Sequence, residues 1–548
     1  MTDRTLRPSS LTANRRGLIV GGAALLGVSG LARGALAQAA GKSMFATAET
    51  TAGKLRGFQT AGIYNFKGVP YGASTAGRNR FMPPAKVTPW AGVRNAYDYG
   101  PLAPQDKPAP LDDYTRAIDW DRHPGPMGED CLALNLWTPG LADGRKRPVM
   151  VYFHGGGFAN GSGGGAGFDG DALARFGDVV AITVNHRLNA FGYINLADVA
   201  GPRFEAAGVA GLLDLIAALR WVRDNAEAFG GDPGRVMIFG QSGGGRKVSA
   251  LLAMPEAKGL FHAAAVHSGS LILAATREDS VRSTELLLKQ LGLPRARAQE
   301  LQDLPMEAVM DAQLAIARQL PTQFKPVVDG KRLPQHPFDP AAPAVSADVP
   351  VMVTTMLEDS ANRRGPFDID DVALQAWAVQ EVGAADAARV LAAYRAAWPQ
   401  ATPYQLQGRI ATDRNHRWRA HQQAERKAAQ GRAPVYMYRF DWPSPAFGGE
   451  FGAVHGTDVE LGFHNARQML SGNTAQAWRM ANMLAPTMVA FARTGNPNNP
   501  AIPEWPAYTA ERRSVMIFDL QPRAVDDPNG DLRRLADEIP GRRSPKDL

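Results

Sequence analysis

The sequence predicts an α/β protein: a mostly parallel central sheet, helices on both faces, and helical cap insertions. Three observations point there. Apolar runs of strand length alternate with helical patterns through the first half of the chain. One of these runs enters a sharp glycine-flanked turn that hands over directly to a helix. The 548 residues hold no internal repeat and no low-complexity linker, so one large elaborated domain, 38–548, accounts for the chain after its leader.

Residues 1–37 read as an export leader. Arg15 and Arg16 precede an uncharged stretch from Gly17 to Leu31, and Arg33 then leads to Ala35-Leu36-Ala37. Paired arginines of this kind resemble a bacterial twin-arginine signal. The uncharged stretch falls short of the roughly 20 apolar residues that span a bilayer. The mature protein is therefore expected to start near Gln38, in the periplasm or outside the cell, with no stable membrane span. Five arginines against Asp3 in this leader supply more than half of the net charge of +7. No basic run of the nucleic-acid-binding kind remains. Cys131 is the single cysteine, so no intramolecular disulfide forms. Its apolar neighbours make it a buried small hydrophobe.

Residues 51–57 and 63–70 read as short strands, and 71–128 as a long irregular segment rich in glycine and proline. Strand-length apolar runs follow at 132–137, 149–153, 179–184 and 236–239, with a helical pattern over 212–229. Later strands are expected at 349–355, 434–440 and 515–518. Between them, roughly 275–345 and 360–430 are helical insertions expected to form a cap beside the carboxyl edge of the sheet, where such sheets place ligands.

The run 236–239 ends in Gly240-Gln241-Ser242-Gly243-Gly244. A strand, a tight turn holding one serine, and a helix form the context of a nucleophile elbow. Glycines keep neighbouring side chains away from the bend, and the helix start aims free N–H groups at any negative charge forming there. A phosphate-binding loop would need Lys and Ser/Thr where Arg246 and Lys247 stand. A dinucleotide fingerprint would need glycine at Ser242. Upstream, the run 149–153 leads to His154-Gly155-Gly156-Gly157-Phe158. Glycines at the end of that strand let backbone N–H groups cradle an oxyanion.

A serine nucleophile needs a base, and the base needs a carboxylate. In this arrangement the order is serine, acid, histidine. Of His416, His421, His455 and His464, the first two lie in an Arg/Gln-rich helical pattern and are expected to face solvent. His464 adjoins Phe463 and reads as packing. His455 sits between Gly452 and Gly456 in a loop suited to aiming an imidazole. The strand expected at 349–355 runs into Glu358 and Asp359, and either carboxylate fits the role of acid.

With these residues assembled, the chain resembles the type-B carboxylesterases, the family that includes the cholinesterases. The resemblance is carried by Gly128-Glu129-Asp130-Cys131, 154–158, 218–225, 229–233, 238–244, His267-Ser268-Gly269-Ser270 and 491–497, and it spans about 44–518. It implies an α/β-hydrolase fold and a serine esterase working through an acyl-enzyme, without metal or cofactor. It implies Ser242 as nucleophile, His455 as base and Asp359 as acid, with Glu358 the alternative. It also implies the N–H groups of Gly156, Gly157 and Gly243 as oxyanion donors. The chain departs from the family pattern at four places. Gln241 stands for the usual Glu, Gly243 for Ala, Thr354 for the Gly closing the acid-bearing strand, and Ala103 for the cysteine that usually pairs with Cys131. A small-molecule ester is the expected partner. The other class to weigh is a non-catalytic binding protein of the same family. Hydrolysis of amides, carbamates or bulky natural-product esters is the alternative within enzymes.

Overall fold

Seven adjacent strands of one sheet run parallel, in the order β7 (Val180–Val184), β6 (Arg147–Phe153), β8 (Gly231–Gln241), β9 (Ala263–His267), β10 (Val351–Met356), β11 (Val435–Phe440) and β12 (Ser514–Phe518). On one flank, β5 (Ala133–Thr138), β3 (Ile63–Pro70), β2 (Gly53–Thr60) and β1 (Phe45–Thr50) continue the sheet antiparallel. The short β4 (Val93–Asn95) pairs parallel with β2. On the other flank, β13 (Arg523–Asp526) closes antiparallel on β12. The computed structural model describes residues 44–106, 112–118, 125–363 and 366–539. The expected leader, 1–37, lies outside them.

Burial on both faces explains the uninterrupted apolar runs. Along the central strands alternate residues belong to two different cores. Val149, Val151, Phe153, Ile238, Val351 and Val353 pack on one face. Met150, Tyr152, Met237, Phe239 and Met352 pack on the other. The period of two in strand geometry divides each run between them. The first face is covered by Ala210–Asn225 and Gly243–Leu252, through Leu212, Leu215, Ile216, Leu219, Val248 and Leu251. The second is covered by Ala475–Thr494, through Met480, Leu484, Met488 and Phe491.

β9 has no counterpart among the expected strands. Its Ala263-Ala264-Ala265 run carries little strand propensity, yet it lies between β8 and β10, where pairing on both sides holds it extended. The two expected insertions differ in what they pack against. Residues 275–345 contain the helices Arg277–Gln290 and Met306–Ile316. Within 360–430, the helices Asp371–Val382 and Ala384–Ala397 form a separate small core with Leu406 and Ile410. By contrast, Trp418–Ala428 lies on the sheet itself, with Ala420 and Ala424 in the first core. Among the described residues, no helix is long and apolar enough to cross a membrane.

Candidate active site

β8 delivers Ser242 to the carboxyl edge of the sheet, and the helix Gly243–Leu252 begins at the next residue. Ser242 holds φ 58°, ψ −120°, a conformation costly to a residue with a side chain. The surrounding backbone enforces it. The Ser242 N–H donates to the His267 carbonyl at 2.8 Å, and the Arg246 N–H donates to the Ser242 carbonyl at 3.0 Å. Glycine is required at the two positions that follow because a Cβ at Gly244 would fall on the Phe153 carbonyl, and one at Gly243 on the Gly157 peptide. The end of β6 is thereby packed against the start of the helix. Gly156 and Gly157 adopt φ +79° and +64°, which turn this segment inward. The fully buried Lys247 ties the two together, its Nζ donating to the His154 carbonyl at 2.9 Å. Burial, reinforced by Arg246, pushes that ammonium well below its ordinary pKa.

The second half of the site comes from the loops after β10 and β11. Asp359 Oδ1 lies 2.5 Å from His455 Nδ1, and Asp359 Oδ2 accepts from the Met356 N–H at 3.1 Å. Burial alone would raise the Asp359 pKa. The charge of His416, the bond to His455 and the Met356 N–H outweigh it and hold the carboxyl at about 2. Glu358, its neighbour, is engaged elsewhere. It accepts from Arg409 Nε at 2.6 Å and from the Ala453 N–H at 2.8 Å. Its own N–H donates to the Ala453 carbonyl at 3.1 Å, so it clamps the loop before His455 to the end of β10. Burial raises its pKa against the pull of Arg409. Gly452 makes the clamp fit: its φ is +65°, and a Cβ there would come within 2.6 Å of the Glu358 carboxyl carbon.

His416 and His421, expected at the surface, are both buried. His421 is covered by Tyr508, whose hydroxyl lies 3.1 Å from its Nδ1, and for His416 the cause is local. Residues Asp413–Arg417 form a π turn between two α-helices, and its extra residue brings Asp413, Arg414, His416 and Arg417 all inside. His416 Nδ1 lies 3.1 Å from Ser360 Oγ, and its ring centroid is 5.3 Å from that of His455. Arg417 donates to the carbonyls of Met356 and Leu357 at 3.0 and 3.3 Å. The acid loop is thus gripped from the helical side. The Asp413-x-x-His416-Arg417 spacing was the available sequence signal, and helical periodicity obscured it. A second histidine–carboxylate contact lies beneath the elbow, His267 Nδ1 to Asp458 Oδ2 at 3.0 Å, with Tyr438 donating to the same carboxylate at 2.6 Å. His464 stacks on Phe176 at 4.0 Å between centroids.

Ser242, His455 and the Gly155–Gly157 segment line one cavity of about 660 Å³, large enough for a drug-sized ligand. Ala317, Leu320 and Gln323, from the first insertion, form part of its wall. Asp359, His416 and His455 could each offer one ligand atom to a metal ion, all within 4.8 Å of one another. The hydrogen bond within that group gives it an equally complete role without one.

A parallel sheet with a strained serine between β8 and a helix, at the edge where a buried histidine–carboxylate pair arrives, defines an α/β-hydrolase. The carboxylesterase family model matches residues 45–532. Phenmedipham hydrolase of Pseudarthrobacter oxydans is 33% identical over 491 residues, 86% of this chain and 94% of that protein. Para-nitrobenzyl esterase of Bacillus subtilis is 32% identical, over 88% of this chain and 97% of that one. Among solved structures, a Geobacillus stearothermophilus carboxylesterase superposes with a TM-score of 0.75 at 36% identity, covering 89% and 99% of the two chains. An esterase from Clostridium hathewayi described as hydrolysing aliphatic aromatic polyesters reaches 0.77 at 33% identity, covering 90% and 98%. The chain belongs to the carboxylesterase family and is a carboxylic ester hydrolase.

Proposed function

We propose that ester hydrolysis runs through an acyl-enzyme on Ser242. His455 Nε2 takes the Ser242 proton as the oxygen attacks the ester carbonyl. The tetrahedral oxyanion is held by the N–H groups of Gly156, Gly157 and Gly243. Collapse expels the alcohol, which receives the proton from His455. Water then attacks the acyl carbon as it gives a proton to His455, and the acid leaves as His455 returns that proton to Ser242 Oγ. Asp359 fixes the ring with Nδ1 protonated and stabilises the imidazolium formed at each step. The observation that carries this reading is the 2.5 Å contact between Asp359 and His455, with His455 and Ser242 on one cavity wall.

The test uses a para-nitrophenyl ester and a fluorophosphonate. Wild type should show a burst of nitrophenol and a single phosphonylated residue, Ser242, by peptide mass spectrometry. Ser242→Ala should lose both. A Ser242→Ala protein as active as wild type would remove the mechanism and leave the non-catalytic binding reading for this cavity. For the leader, we propose twin-arginine export to the periplasm or beyond, supported by the Arg15-Arg16 pair and the Ala35-Leu36-Ala37 stretch. Replacing both arginines by lysine should trap the enzyme inside the cell. Unchanged export would refute it.

A further inference from the structure

Arg246 stands four residues after the nucleophile, on the first turns of the elbow helix, and is among the residues that line the cavity that holds Ser242 and His455. None of the described lining residues is Asp or Glu, and Arg246 supplies the permanent charge among them. Lys325 follows closely on the wall residues Thr322 and Gln323 and is itself largely buried. Burial first, then the charges of Arg246 and Arg419, lower its pKa to about 8, with Asp279 opposing them. Lys325, Arg246 and Arg419 are therefore near enough to feel one another's charge, with Asp279 among them.

Gln241 adds an independent sign. Gln241 is 1% exposed and is among the residues that line the same cavity. Neither its Oε1 nor its Nε2 has a hydrogen-bond partner among the described residues. A buried amide left in that state costs free energy unless something that enters the cavity satisfies it. An amide donor and a guanidinium from residues of one cavity wall suit an anionic oxygen pair, which arginine recognises through its planar fork.

We infer that the cavity selects esters bearing a second, ionised carboxylate: half-esters of dicarboxylic acids, whose free carboxylate meets Arg246 and Gln241 while the ester carbonyl lies at Ser242. This rests on the mechanism proposed above. Water cleaves the ester to the alcohol and the dicarboxylate dianion, with one proton released and no other reactant. A permanently cationic ester is disfavoured by the same field.

The experiment compares kcat/KM for monoethyl and diethyl esters of four- to six-carbon dicarboxylic acids and for a choline ester. Fluorophosphonate titration normalises each preparation to competent Ser242. Wild type should prefer at least one half-ester over its diester by about tenfold or more, with the choline ester slowest. Arg246→Gln should abolish that ratio, and Arg246→Lys should restore part of it. Raised salt should shrink the wild-type ratio, since the attraction is screened. Equal half-ester to diester ratios in wild type and Arg246→Gln would overturn the inference. A wild-type preference for the diester would do so as well. If Ser242-dependent cleavage of the diesters persists in either case, the mechanism stands and only the anion site falls. Should Arg246→Gln yield no titratable protein, Gln241→Leu takes its place. It should lower the ratio, and an unchanged ratio in that variant counts against the site.

Discussion

The two halves of the site are built by opposite means. The elbow half is backbone: Ser242 is held by carbonyls and N–H groups of adjacent segments, and what matters in its neighbours is the missing Cβ at Gly243 and Gly244. The acid–base half is side chain: Asp359 to His455, Glu358 to Arg409 and to Ala453, with His416 beside them, joined across separations of 96, 51 and 95 residues. The first half is above all intolerant of volume, and the charge buried in it is the Lys247 ammonium. In the second, charge and hydrogen bonding decide. Backbone strain can be written in five consecutive residues, whereas a buried ionic network needs the whole fold to assemble it.

The largest expected effect sharpens that contrast. Asp359→Asn keeps the size of the side chain and removes its charge. It should lower kcat by about 10³–10⁴-fold, because the amide no longer holds the productive imidazole tautomer. Circular dichroism should show an intact fold. A loss under tenfold would mean that His455 is oriented by other groups.

Gly244→Ala adds one methyl to the elbow and no charge. The methyl would fall on the Phe153 carbonyl, so strand and helix must separate. Destabilisation of about 3 kcal/mol or more is expected, read as a lower urea midpoint. Wild-type stability in this variant would break the comparison, since the elbow would then tolerate volume.

Glu358→Gln preserves shape and leaves the buried Arg409 without its counter-charge. A cost of about 3–5 kcal/mol in stability is expected, together with a lower kcat as the loop before His455 loosens. If stability falls and kcat per titrated Ser242 is unchanged, Glu358 clamps the fold and leaves the imidazole alone.

The smallest effects concern pH. The carboxyl of Asp359 is at about 2 in the folded chain, against an ordinary 3.8. A depressed carboxyl stabilises the fold above its unfolded value and loses that contribution as pH falls from about 4 towards 2. The contribution is on the order of 2 kcal/mol. The stability gap between wild type and Asp359→Asn should therefore narrow across that window, and a constant gap would contradict the assignment. His416→Phe should leave KM near wild type and lower kcat, because Asp359 would then face one imidazole instead of two. An unchanged kcat would reduce His416 to packing. Asp413, Arg417 and Ser360 also face this cluster and should be held constant in the series.

Much of this molecule was legible in one dimension. β6, β8, β10 and β11 follow apolar runs because strands buried on both faces have no polar side to interrupt them. Ser242 and the Gly155–Gly157 segment were legible because backbone conformation is local and glycine marks it. β9 was not, because its alanines have no preference of their own and its two neighbours decide its state. Glu358 and Asp359 are equivalent candidates when only the residues are read. Adjacent positions point opposite ways at a strand end, and only the folded chain shows which carboxylate meets the imidazole and which meets Arg409. His416 went further: a helical pattern placed it in solvent, and a π turn put it inside. Local chemistry is written where it occurs, but a contact between a side chain and its partner 96 residues away exists only once the sheet has brought both loops to the same edge.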